Sequence, residues 1–263
     1  FRSHYVSRPP FTEAEAVRRA IYLAGQTDTP LYIAHMTCRE AIAELQKAKG
    51  TGQRVSGETC THYLTTTKEV LDNPDFNEAA KFVCSPALRD QEDCEALWQA
   101  LAGGLLTAVS SDHCGIDVAE LKQAGRDDFT QIPNGSPGAG DRLHMVWTEG
   151  VCTGKLSRQK FVDVIATQPA KINGIYPRKG TLAVGSDADI VIFDPSYEGV
   201  IRLADNPNGV DYNLYEGRRQ SGRVETVLLR GQVVVENAKF VGRYGQGQFI
   251  PASMYASGYE NRN

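Results

Sequence analysis

Two apolar stretches end in groups that carry chemistry. LYIAHMT places His35 after a short β-favouring run, and LTAVSSDHCG places Asp112, His113 and Cys114 after another. Imidazole and carboxylate are the groups that ligate divalent metals and move protons near neutral pH. If both runs are parallel strands, His35 and Asp112 stand at their carboxyl ends, where α/β barrels and open parallel sheets carry reactive groups. Each also has an ordinary reading, the histidine as a hydrogen-bonded structural residue and the acid as a turn or helix-cap group. A zinc site normally takes at least three side-chain ligands, and two are too few.

His62, His113, His4 and His144 are the other imidazoles. His62 follows the run ending at Cys60 and is placed to reach the same rim. Neighbours on a strand point to opposite faces, so His113 is expected outside any ion sphere that includes Asp112. His4 and His144 are read as surface or core-edge residues. Cys114 beside His113 suggests a nucleophile on paper, but a buried inert thiol is the expectation. No P-loop, nucleophile elbow or Rossmann glycine fingerprint occurs, and Gly103-Gly104 reads as a helix stop.

The elements that must position these groups follow from periodicity. Thr12 to Glu15 has capping-box spacing ahead of Val17, Ala20, Ile21 and Ala24, so a helix is expected there. LYIAHMT is the next strand, and a second capping box, Thr37 to Glu40, opens a helix ending near Gly50. QRVSGETC reads as a strand, KFVCSP as a short extended piece, and Asp90 as the cap of EDCEALWQALAGG ahead of LLTAVSSDH. Alternating strands and helices imply parallel pairing with right-handed crossovers. Residues 113 to 140 form a long aperiodic loop, of the kind that is more often functional than idle. Helices resume near 141 to 150 and at SRQKFVDVIAT. After Pro177 the texture becomes β, with Arg230-Gly231 as a tight hairpin turn.

With 263 residues, 41% hydrophobic and 23% charged, the chain can bury a sizeable core in one or two domains. A formal net charge of -4 gives no basic footprint, which disfavours nucleic acid and anionic membranes as partners and leaves a small molecule or another subunit. No apolar run has membrane-span length, the first ten residues lack a signal-peptide core, and the start at Phe1 points to a fragment. Six cysteines without CxxC spacing are expected to be reduced thiols in a cytoplasmic protein.

The blocks SRPPFTEAEAVRRAI, LYIAHMT, GETCTHYL, KFVCSPALRD, SSDHC, GRDDFTQIPNGSPG, ATQPAKINGIYPRKGTLAVGSDADIVIFDP and VDYNLYEG closely resemble the dihydropyrimidinase and D-hydantoinase family of cyclic amidohydrolases. The resemblance spans nearly the whole chain, in the family's order. It implies an α/β fold: the later part of a (β/α)8 TIM-type barrel over residues 1–176, then β-sandwich strands and a tail over 177–263. It also implies two divalent metal ions, usually zinc, bridged by a carboxylated lysine and a hydroxide. By motif, His35 resembles the histidine ligand of one metal, and Asp112 the carboxylate ligand of the other and the proton shuttle. Ser85 and Asn134 resemble the residues whose backbone groups hydrogen-bond the cyclic imide.

The family's His-x-His strand, bridging lysine, a further ligand histidine and an oxyanion-stabilising tyrosine have no counterpart in these residues. The expectation is therefore a carboxyl-terminal portion, inactive alone and prone to associate, of an enzyme that is a homotetramer by resemblance. Allantoinase, dihydroorotase and a non-catalytic dihydropyrimidinase-related scaffold are the alternatives.

Overall fold

The computed structural model describes residues 1–253. The helices are α1 (Arg2–Val6), α2 (Pro10–Gln26), α3 (Arg39–Gly50), α4 (Thr61–Thr65), α5 (Phe76–Ala80), α6 (Gln91–Ala102), α7 (Arg142–Val146), α8 (Arg158–Val162) and α9 (Gln168–Ile172). The strands are β1 (Leu31–Ile33), β2 (Val55–Cys60), β3 (Ala108–Ser110), β4 (Ile190–Val200), β5 (Arg219–Leu229), β6 (Gln232–Glu236) and β7 (Lys239–Phe240).

The first sheet is parallel, in the order β1-β2-β3, with Ile33 opposite Gly57 and Cys60 opposite Ser110. Its connections run through α3 and α6, as the alternation of strand and helix predicts. Helix α6 buries Cys94, Leu97, Trp98 and Leu101, positions spaced three and four apart, and Leu97, Trp98 and Leu101 join Leu45 of α3 and Leu106 and Val109 in one core. Gly103 and Gly104 stop that helix, Gly104 at φ 77°, a conformation a β-carbon would strain. Gly57 has a packing reason: a β-carbon there would lie 2.6 Å from Met36 Sδ.

The second sheet is antiparallel, in the order β4-β5-β6-β7. Its β5-β6 hairpin turns at Arg230 (φ 49°) and Gly231 (φ 78°), the paired positive values of a two-residue hairpin whose twist matches its strands. The edge-to-face stacking of Trp147 on Phe161 and Phe193, with Thr148 Oγ1 donating to Ser221 O at 3.2 Å, ties this sheet to the helical region.

The α/β character holds, with two qualifications. Three parallel strands do not close a barrel, and among the described residues the antiparallel strands form a single sheet rather than a two-sheet sandwich. Val191 and Ile192, neighbours on β4 that point to opposite faces, are both about half exposed.

Local corrections have definite causes. Helix α2 starts at Pro10, two residues before the expected Thr12 cap, because proline at the first helical position has its φ pre-set and no N–H to satisfy. Thr12 donates its hydroxyl to Pro9 O at 2.7 Å and Glu15 pairs with Arg19 at 3.3 Å, so no capping box forms there, while Glu13 accepts from Thr37 N at 2.8 Å and from the Thr37 hydroxyl, so Thr37 opens none either. Asp90 occupies the N-cap position of α6, but its carboxylate takes Lys68 Nζ at 2.6 Å instead of a backbone N–H. KFVCSP, read as a short extended piece, joins no sheet: the Val83 carbonyl accepts from Lys122 Nζ and Gly135 N, and the Cys84 carbonyl binds His4 Nε2.

Candidate functional site

His35 and Asp112 occupy equivalent places, each two residues beyond the end of a parallel strand, β1 and β3, on either side of β2. They share the carboxyl end of the sheet. Both adopt left-handed backbone, φ 40° for His35 and 43° for Asp112, a conformation that costs a residue with a β-carbon roughly 1–2 kcal/mol. Such outliers persist where the surroundings over-determine them and gather at active sites. At His35 the constraint is visible: Met36 N donates to Glu58 O at 2.8 Å and Thr59 Oγ1 donates to Met36 O at 2.8 Å, so β1 turns sharply and re-engages β2.

His35 opens on a cavity of about 680 Å³, shared with Ser85, Pro86, Glu13 and Arg89. Arg89 is buried there, donating from Nε to Thr37 Oγ1 at 2.9 Å and from Nη2 to Glu13 Oε2 at 3.2 Å. This buried pair pins α2 to the turn that carries His35. Ser85 Oγ donates to Asn134 Oδ1 at 3.0 Å, which brings together two residues 49 positions apart. Asp112 does not line that cavity. It lies by the Cys60–Tyr63 turn, where its charge helps to raise the Cys60 and Tyr63 pKa values, both of which are raised chiefly by burial.

The other histidines divide differently from the sequence expectation. His4 is a core residue, not a surface one: it is 1% exposed, its Nε2 lies 2.9 Å from Cys84 O, and burial pushes its pKa down to about 4. His62 is also buried, with its pKa pushed down to about 3 by burial first and by the nearby His35 charge second, and among the described residues its Nε2 has no hydrogen-bond partner. His113 Nδ1 accepts from Gly138 N at 3.3 Å and Ala139 N at 3.4 Å, which fastens the long loop onto β3's exit. His144 Nε2 accepts from Val224 N at 3.4 Å. Cys38, Cys60, Cys84 and Cys94 are buried free thiols, whereas Cys114 is exposed, contrary to the buried thiol expected.

One imidazole and one carboxylate suit two ligand positions of a metal centre. Among the described residues, no group of three or more His, Cys, Asp or Glu side chains is gathered to hold an ion. The described residues therefore do not complete such a centre by themselves. Sequence reasoning missed the Glu13–Arg89 pair and Lys122, a lysine with no exposed surface inside the long loop. Neither gives a periodic signal, since each is a single charge in a polar context.

The Amidohydrolase family pattern matches residues 25–234, and the chain belongs to that family. Within it, the chain is 48% identical over 252 residues to a D-hydantoinase of Ralstonia pickettii, which covers 96% of this chain and 55% of the relative. A D-hydantoinase of Rhizobium radiobacter is 50% identical with the same coverage. The crystal structure of dihydropyrimidinase from Brevibacillus agri NCHU1002 superposes with a TM-score of 0.94 at 45% identity, over 96% of this chain and 55% of that one. The chain thus spans about half the length of the relatives it matches.

Proposed function

We propose that the chain forms part of a longer enzyme that hydrolytically opens cyclic amides and imides, namely hydantoins and dihydropyrimidines. The observation that carries this is the pair of left-handed residues, His35 and Asp112, at equivalent strand ends. Their chemistry matches the work of the D-hydantoinases and dihydropyrimidinases that the chain resembles over 96% of its length.

In this proposal His35 and Asp112 are ligands of two divalent ions, zinc by preference, whose remaining ligands lie outside these residues. When bound, such ions lower the pKa of a water molecule and polarise the amide carbonyl. Asp112 accepts the water's proton and returns it to the departing ring nitrogen, acting first as general base and then as general acid. Ser85 and Asn134, already bonded to each other, hold the ring through backbone groups. The free thiols suit a reducing compartment, and we place the enzyme in the cytoplasm as a homo-oligomer, a tetramer by family resemblance.

The test assays hydantoin and dihydrouracil ring opening, with zinc added, by the longest natural chain that carries residues 1–263 and by residues 1–263 alone. The longer chain is expected to turn over both and the shorter neither. Bound zinc without turnover in the longer chain would favour a scaffold; turnover of allantoin or dihydroorotate instead would redirect the substrate assignment.

A further inference from the structure

Lys122 has no exposed surface, and among the described residues no carboxylate is paired with it. All three of its ammonium protons go to backbone carbonyls: Ala80 O at 2.9 Å, Val83 O at 3.1 Å and Gly135 O at 2.7 Å. Burying an unpaired charge is costly, so a lysine held in this way needs its donors satisfied completely. Burial alone pushes its pKa down to about 8, and three carbonyl dipoles stand in for the missing counter-ion.

The carbonyls it gathers belong to two separate segments. Val83 lies two residues before Ser85, and Gly135 directly follows Asn134. Gly135 N also donates to Val83 O at 3.0 Å, and Ser136 Oγ donates to Lys81 O at 2.8 Å, so the segments run together at the point where the ammonium sits. The close approach extends to the exit of β3. A β-carbon on Gly135 would lie 2.7 Å from Cys114 Sγ, and Cys114 N donates to Ser136 O at 3.0 Å, two residues beyond Asp112.

We propose that Lys122 is a positioning residue for substrate: its ammonium clamps the 83–85 and 134–136 segments in the register that presents the Ser85 and Asn134 backbone groups to one ring. This rests on the functional reading above, which makes those two residues the ring-holding pair. A methionine of similar length would fill the same space but leave three carbonyls without their shared donor, and the segments would be free to part.

The experiment measures kcat and KM for hydantoin in the longest natural chain carrying these residues, as wild type, Lys122→Met, Lys122→Gln and Leu97→Ala. Leu97, buried on α6, is a stability control that takes no part in the hydrogen bonds of the clamp. Lys122→Met is expected to raise KM at least tenfold with kcat within about threefold of wild type, and Lys122→Gln, which keeps two donors, to fall between. Leu97→Ala should lower the melting temperature with KM unchanged. A wild-type KM in a folded Lys122→Met or Lys122→Gln variant would overturn the proposal, and so would failure of both to fold, since that would assign Lys122 to folding alone. Absence of ring opening by the wild type would instead defeat the functional reading.

Discussion

At Asp112, the conformation and the proposed chemistry pull in different directions. Aspartate tolerates the left-handed region better than most residues with a β-carbon but still pays for it, whereas glycine does not. Asp112→Gly is therefore expected to leave the melting temperature unchanged or raise it by a few degrees, equivalent to about 1 kcal/mol, while ring opening is lost. Asp112→Asn keeps the backbone preference and removes the proton acceptor, so kcat/KM should fall by roughly 10²–10⁴-fold, the usual worth of general acid–base catalysis, with unfolding unaltered. Steady-state kinetics alongside thermal melts of the two variants check both statements. The position of Asp112 at a strand end was legible from the apolar run before it; its strained φ was not, because backbone strain leaves no mark in composition.

Among the elements, α2 and the β1 turn depend on the Glu13–Arg89 pair. Both side chains are nearly buried, and Glu13 also takes the Thr37 amide, so removing the carboxylate leaves a buried guanidinium and an orphan N–H together. Glu13→Ala should destabilise the chain by about 3 kcal/mol or more, in the range for breaking a buried pair, read as a loss of denaturation midpoint. A loss below 1 kcal/mol would show the pair to be solvated. Most elements were legible in the sequence: the β-favouring runs at Leu31, Val55 and Ala108 became parallel strands, and Arg230-Gly231 became the hairpin turn. The caps expected at Thr37 and Asp90 failed because a spacing rule cannot see a distant competitor. Thr37 found Glu13, and Asp90 found Lys68, through contacts that exist only once the chain has folded.

For the whole molecule, the buried histidines set a pH dependence. His4 is held at about 4 and His62 at about 3, both below the ordinary 6.5, so the unfolded chain binds protons that the folded chain refuses. Stability from these groups is full above pH 6.5 and is lost as pH falls from there toward the folded values. His4 alone corresponds to on the order of 3 kcal/mol across that window, from about 1.4 kcal/mol per pH unit. Denaturant midpoints between pH 7 and 4 should fall steeply, and His4→Gln, which can still donate to the Cys84 carbonyl, should flatten the fall. An unchanged slope would mean His4 is protonated in the fold. The α/β class was readable from strand and helix alternation. Two features of the whole were not legible in periodicity: among the described residues the three parallel strands do not close a barrel, and the antiparallel strands form one sheet.

The central claim is that His35, Asp112, Ser85 and Asn134 serve one site. The most direct measurement is a crystal structure of the longest natural chain carrying these residues, grown with zinc and an unreactive hydantoin analogue, with anomalous maps collected at the zinc edge. We expect zinc density at ligand distance, about 2.0–2.2 Å, from a His35 nitrogen and an Asp112 oxygen, and the analogue ring on the backbone of Ser85 and Asn134. Zinc bound away from both His35 and Asp112, or the analogue seated elsewhere, would contradict the account.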